Sequence, residues 1–413
     1  MKELEITYRQ NRRITDKIKQ HSSAENEIFT VNVRNTTKCY AFQSIITILS
    51  TCRRLQYLRY VNQGSFECSS SPSPLSIISA MKDHSNSFCA SLRYLEIHIG
   101  QTQELYMEQI LKQCPNLRIL DLRFSWSIEP RILNGIQRYC PQLEYLRFDS
   151  YENILYGKDL YYQYYPKSLK PHNKSNNATT TKLTSTLLSP QLSKLSLSPP
   201  ALKKFYIGIT STDPPIPFLN RHSDTIEEMM LSLTYQANLS SMPMMNRLTW
   251  LAMRYDGDPH LLARVISNTP SLRNLEFYGP FISDELINTL KKLNTLEELV
   301  FYNDDIHPDD MDDLFYAYAK PAGDNMIDLF NTYAEASIVT TTPTHSNEER
   351  NTGDREVSQR QRHGRGRLTH VTFSGYEFTQ DSVLEALGNI KTLSHVYIES
   401  APLITTKGIN AFF

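Results

Sequence analysis

The stretch Gln113–Ser125, "QCPNLRILDLRFS", places a cysteine three residues ahead of Leu117, with Leu120 and Leu122 following at fixed offsets. A single string of this kind reads as a short buried strand. Aligned on leucine, two residues, apolar, one residue, apolar, it recurs. It returns as "LQYLRY" at 55, "LRYLEI" at 92, "LEYLRF" at 143, "LKKFYI" at 202, "IEEMML" at 226 and "LTWLAM" at 248. It continues as "LRNLEF" at 272, "LEELVF" at 296, "LTHVTF" at 368 and "LSHVYI" at 393, with weaker copies "MKELEI" at 1 and "IFTVNV" at 28. The intervals are 27, 27, 37, 25, 26, 59, 24, 22, 24, 24, 72 and 25 residues. A period of this size is the signature of a solenoid, in which each repeat contacts only its neighbours.

The residues inside one period say what the repeat is made of. The closing apolar pair alternates, as a strand with one buried face requires. A helical stripe then follows. Met107, Ile110, Leu111 and Cys114 fall at i, i+3, i+4 and i+7, and Leu286, Ile287, Leu290 and Leu293 do much the same. Asp258 followed by Pro259, and Ser283, stand where helix starts are expected. Strand, turn, helix, turn predicts an α/β fold, a curved parallel sheet inside with helices outside, in about a dozen repeats.

With Cys52, Cys89, Cys114 and Cys140 each three residues before a repeat's first leucine, in contexts such as "CPNLRIL" and "CPQLEYL", the chain resembles the leucine-rich repeat family. It is similar in particular to the cysteine-containing subtype known from F-box substrate receptors. Later repeats carry Met245, Thr269, Leu293 and Ile390 at the cysteine position. The resemblance implies a protein-recognition module, a ubiquitin-ligase substrate as the bound protein and a cullin adaptor as a second partner. F-box receptors carry a helical motif ahead of their repeats, and no such motif is visible here before the string at Met1. The cysteines are expected to close each helix and pack under the next strand. Equivalent residues one repeat apart are too spread to converge on one metal ion, so neither metal nor cofactor is expected.

Composition narrows the function classes. The 413 residues carry a net charge of −1, so no global field argues for nucleic acid or a membrane surface. The six cysteines contain no CxxC pair, which points to a reducing compartment, cytoplasm or nucleus. No apolar run is long enough to span a bilayer. Glycine-rich phosphate loops and the common hydrolase and metalloprotease motifs are absent, so no enzyme is expected. The chain is expected to be monomeric on its own.

The long intervals divide the chain. Residues 1–150 read as N-terminal repeats, 151–198 as a Tyr-rich then low-complexity insertion, and 199–320 as central repeats. Residues 321–367 read as a second insertion, disordered from about 337 with an Arg-rich end, and 368–413 as C-terminal repeats. The acidic string "NDDIHPDDMDD" at 303–313 reads as the start of a helix that runs from Asp309 to Lys320. The run "RQRHGRGR" at 360–367 reads as a solvated loop, with nucleic-acid binding or a localisation signal as the alternatives.

Side chains alternate along a strand, so the residues between the leucines face the open inner surface. These are Tyr57 and Arg59; Tyr94, Glu96 and His98; Asp121 and Arg123; Tyr145, Arg147 and Asp149. Later repeats supply Trp250 and Arg254; Asn274, Glu276 and Tyr278; Glu298 and Tyr302; His370; and His395, Tyr397 and Glu399. Tyr, Trp and Arg are enriched at interface hot spots, so this stripe is the expected partner-binding face. Charge reversal at Arg123 and Arg147 together is expected to abolish partner capture and leave the melting temperature nearly unchanged. A ubiquitin-independent scaffold, and a nucleic-acid-associated protein using the arginine run, remain open as other readings.

Overall fold

The structure is a computed structural model. It describes residues 2–8, 29–35, 54–62, 89–98, 104–124, 130–150, 201–211, 214–233, 237–255, 257–279, 282–302, 323–341, 368–374, 380–399 and 403–412, with Ile45, Ile48 and Leu49. These form one sheet of thirteen strands in sequence order, every pairing parallel. The strands are β1 (Lys2–Tyr8), β2 (Phe29–Asn35), β3 (Tyr57–Asn62), β4 (Tyr94–His98), β5 (Ile119–Phe124), β6 (Tyr145–Ser150) and β7 (Lys204–Ser211). They continue as β8 (Glu228–Leu233), β9 (Trp250–Tyr255), β10 (Asn274–Tyr278), β11 (Glu298–Tyr302), β12 (His370–Ser374) and β13 (His395–Glu399). The helices are α1 (Glu104–Gln113), α2 (Pro130–Tyr139), α3 (Ile216–His222), α4 (Pro259–Ser267), α5 (Asp284–Leu290), α6 (Gly323–Thr341), α7 (Asp381–Gly388) and α8 (Thr406–Phe412). The architecture is the leucine-rich-repeat solenoid, with the two weaker N-terminal strings forming β1 and β2.

Three apolar rows build the core. The first leucines, from Leu55 through Leu92, Leu117 and Leu143 to Leu368, are buried at the strand entries. The second apolar position runs in register from Leu58 through Leu95, Leu120 and Leu146 to Phe205, and on to Leu299 and Val371. The third becomes aromatic along the chain: Phe277 meets Phe301 edge-on at 6.3 Å, and Phe301 stacks on Phe373 at 5.8 Å. Each fully buried side chain of this size stabilises by about 1.5–3 kcal/mol, repeated on every rung.

A backbone device holds the rungs in register. The Gln56 carbonyl accepts both the Arg93 and the Tyr94 amide; the Arg93 carbonyl then accepts those of Arg118 and Ile119. The same fork recurs at every later rung as far as Ser394 and His395 on the Thr369 carbonyl. It spans both long intervals without a slip: Lys203 and Lys204 bond Glu144, and Thr369 and His370 bond Glu297. The insertions therefore leave the ladder intact.

Cys89, Cys114 and Cys140 are free and buried. Each lends its carbonyl to the amide of the leucine three residues on, at 3.0–3.2 Å, which closes the turn into the strand. Met245, Thr269 and Ile390 make the same turn without sulfur. Burial pushes the Cys89 thiol up to about 11, Cys140 up to about 12 and Cys114 well above its ordinary value. Cys52 lies outside the described residues.

Two helix starts follow the expectation. Asp258 accepts from the His260 amide at 2.8 Å, with Pro259 at the first position, and Ser283 Oγ accepts from Leu286 at 3.1 Å. One region differs. The sequence reading ended the central repeats at 320 and began disorder near 337, but Gly323–Thr341 is a helix of 19 residues. Met326, Leu329, Phe330 and Tyr333 form its buried stripe, and Tyr333 Oη donates to the Leu290 carbonyl at 2.9 Å. Ser337 is 1% exposed, and its Oγ accepts from the Lys391 amide. The i, i+3, i+4, i+7 spacing was present but lay beyond an acidic string that itself resembled a helix start. That string, the interval 151–200 and the run 360–367 lie outside the described residues. Between β8 and β9, residues 237–247 carry no helix; Ala237, Leu239, Met242 and Met245 fill the core from an irregular segment. Among the described residues no helix is long and apolar enough to cross a membrane.

Candidate interaction face

Strand alternation leaves three rows on the inner side of the sheet, and they divide the face into two electrostatically different halves. On β3 to β6 the charges satisfy one another. Arg59 Nε donates to Glu96 Oε1 at 3.0 Å and Tyr94 Oη donates to Oε2 at 3.0 Å. His98 Nε2 stands 2.8 Å from Glu96 Oε1, close enough for an ion pair but off the line of a good hydrogen bond. Arg123 donates to both oxygens of Asp121 at 3.3 Å, and Arg147 pairs with Asp149 at 2.5 Å. Register sets Asp121 opposite Arg147, and Arg123 opposite Asp149.

These groups face the inner side, yet Glu96, His98, Asp121, Arg123 and Asp149 are all buried. Neighbouring parallel rungs are about 4.8 Å apart, so long side chains on adjacent strands cover one another. Burial alone would raise the Glu96 carboxyl, but the His98 contact, with His98, Arg59 and Arg123 nearby, holds it down at about 2. Burial works against the Arg147 charge, yet Asp121 and Asp149 raise its pKa above the ordinary value. Arg59, Tyr57, Tyr94 and Tyr145 are half-buried, and Tyr57 stacks on Tyr94 at 4.2 Å.

The middle rungs hold three side chains the sequence reading passed over. Lys204 Nζ lies 2.6 Å from Glu228 Oε1, and Tyr206 Oη donates to Glu228 Oε2. Burial and Glu228 push the Tyr206 hydroxyl up. Tyr206 bridges Tyr145 and Trp250 at ring distances of 5.3 and 5.8 Å. Their signal was the same offset in "LKKFYI" and "IEEMML" that identified the others.

From β9 to β13 the face opens. Trp250 Nε1 and Tyr278 Oη donate to the two oxygens of buried Glu276, at 2.9 and 3.0 Å. Tyr278 stacks on Tyr302 at 4.8 Å and His370 on His395 at 4.4 Å. Asn274 donates to Glu298, and Ser374 to Glu399 at 3.2 Å. Arg254, His395, Tyr397 and Glu399 are exposed; Trp250, Asn274, Tyr278, Glu298, Tyr302 and His370 are half-buried. The sequence grouped on one stripe residues that the structure divides: on β3 to β6 none of them is fully exposed and the charged ones pair with one another, whereas β9 to β13 expose Arg254, His395, Tyr397 and Glu399.

Among the described residues no group of three or more His, Cys, Asp or Glu side chains is arranged to hold a metal ion. A cavity of about 20 Å³ on the helix side, between α2 and α3, is lined by Ile136, Cys140, Phe218, Arg221 and His222 among others. That is room for one water. Among the described residues His222 Nδ1 is buried there without a hydrogen-bond partner, and burial, then Arg221, lowers its pKa to about 4.

No family model matches the chain, and no curated protein matches it. A chain in the crystal structure of the Rad7 and Elc1 complex in yeast is similar at 12% identity, covering 95% of this chain and 81% of that one, with a TM-score of 0.32.

Proposed function

We propose that this chain is a recognition module that binds a protein partner on the inner face of its sheet, with no catalysis of its own. The observation that carries the reading is the open half of that face. There, among the described residues, a sheet thirteen strands wide leaves Trp250, Tyr278 and Tyr302 half-buried and Tyr397 exposed on the inner side. Parallel sheets normally have both faces covered, and accessible aromatic side chains are the hot-spot type.

A photo-crosslinking side chain placed at Tyr302 or His395, and separately at Glu385 on the helix side, tests it in cells. Crosslinks to a discrete protein from the inner positions and none from Glu385 are expected. Equal labelling from both faces would overturn the reading.

The narrower reading comes from the cysteine-containing repeats: the captured protein is a ubiquitin-ligase substrate and the chain also meets a cullin adaptor. The alternative is a ubiquitin-independent scaffold. Affinity purification separates them, since recovery of the adaptor supports the first and a stable partner without ligase subunits supports the second.

A further inference from the structure

We propose that the open end of the inner face, β9 to β13, docks an extended arginine-rich segment of a partner protein. This rests on the recognition reading above and names the chemistry of what is recognised. On these five strands the inner rows present half-buried Glu298 and exposed Glu399, with Arg254 as the one arginine or lysine, while Glu276 is buried with both oxygens bonded by Trp250 and Tyr278. Among the described residues Glu298 and Glu399 accept hydrogen bonds from neutral Asn274 and Ser374.

The aromatic rings make the surface more than acidic. The Tyr278–Tyr302 pair lies beside those carboxylates, and Tyr397 on β13 is 55% exposed. Burial, together with Glu276, Tyr397, Glu298 and Glu399, raises the Tyr302 hydroxyl, which places Tyr302 inside the combined field. A ring face beside a carboxylate suits guanidinium, which stacks on aromatics and bonds carboxylates with a planar fork; an ammonium does the second only as a point charge.

Spacing fits as well. β10 to β13 spans three strand steps, about 14 Å, and alternate residues of an extended chain are about 6.6 Å apart. Register sets Glu298 at the start of β11 and Glu399 at the end of β13, four residues along and two strands across, roughly 16 Å apart; arginines two alternate positions apart, roughly 13 Å along an extended segment, reach both with their long side chains.

The test uses the full chain and a fluorescein-labelled peptide with arginine at alternate positions separated by serine, followed by anisotropy. Expected are binding that weakens several-fold from about 50 to about 500 mM salt, weaker binding of the lysine peptide and none of the glutamate peptide. The double variant Glu298→Gln, Glu399→Gln should weaken the arginine peptide about five- to tenfold, and Glu385→Gln should not. Glu399→Gln alone provides a second variant, since Glu399 is exposed at the sheet edge. Unchanged affinity in E399Q and in the folded double variant would overturn the proposal. So would binding that emerges only after Arg360, Arg362, Arg365 and Arg367 are replaced by glutamine, which would assign the face to the chain's own arginine run. If inner-face crosslinks to a protein are found while the arginine peptide fails to bind, this inference falls and the recognition reading stands.

Discussion

Arg123 and Asp121 stand two residues apart on one strand and pair on the inner face, with 3% and 2% of their surface exposed. The pair is buried, so each charge depends on the other. Removing one partner of a buried pair costs about 3–5 kcal/mol because the other is left uncompensated. Arg123→Glu is therefore expected to lower denaturant stability by at least that amount, measured by urea unfolding. This revises the sequence-based expectation that charge reversal at Arg123 and Arg147 would leave stability unchanged. An R123E variant as stable as the parent would refute the buried pairing.

Acid should lower stability in two successive pH windows. His222 has its pKa depressed to about 4, so the folded state binds fewer protons than the unfolded one. Its contribution is full above the ordinary histidine value of about 6.5 and is lost as pH falls through about 4, about 3 kcal/mol in all. His222→Phe should flatten the stability–pH curve in that window. Glu96, held at about 2 against an ordinary 4.5, contributes stability that is lost lower, as pH falls through about 2. Glu96→Gln should remove only that lower slope, of similar size, about 3 kcal/mol. Identical slopes in parent and variants would count against both assignments.

The buried cysteines should be chemically silent. The thiolate is the reactive form. With Cys140 pushed up to about 12, its thiolate fraction at pH 8 falls about a thousandfold below that of a free thiol. Site-resolved alkylation should label Cys89, Cys114 and Cys140 only on unfolding. Rapid labelling of Cys140 in the native protein would contradict the packing described.

Residues 323–341 should behave as core. Phe330 is buried and meets Phe373 edge-on at 5.9 Å. Phe330→Ala is expected to cost about 3–5 kcal/mol by calorimetry or denaturant unfolding, whereas Glu335→Ala on the exposed side should stay within about 0.5 kcal/mol. A small effect at Phe330 would return the segment to the insertion that the sequence suggested.

The sequence alone determined the solenoid, because a strand rung needs apolar residues at fixed offsets and the chain repeats those offsets thirteen times. It determined which residues lie between the leucines, since alternation along a strand is a property of local backbone geometry. It also located the Asp258 and Ser283 caps, which depend on neighbours a few residues away. It did not determine which inner-face residues stay accessible. That depends on what lies one rung over, from 22 to 72 residues away in sequence, and only the folded register brings Arg59 to Glu96, Asp121 to Arg147 and Lys204 to Glu228. The tertiary structure decided that the charges on β3 to β6 neutralise one another in burial. It also decided that Glu276 is buried, whereas Tyr397 and Glu399 on β13 stay exposed. "QCPNLRILDLRFS" shows both sides: its leucines and Cys114 sit where the repeat demands, while Asp121 and Arg123 are turned toward each other.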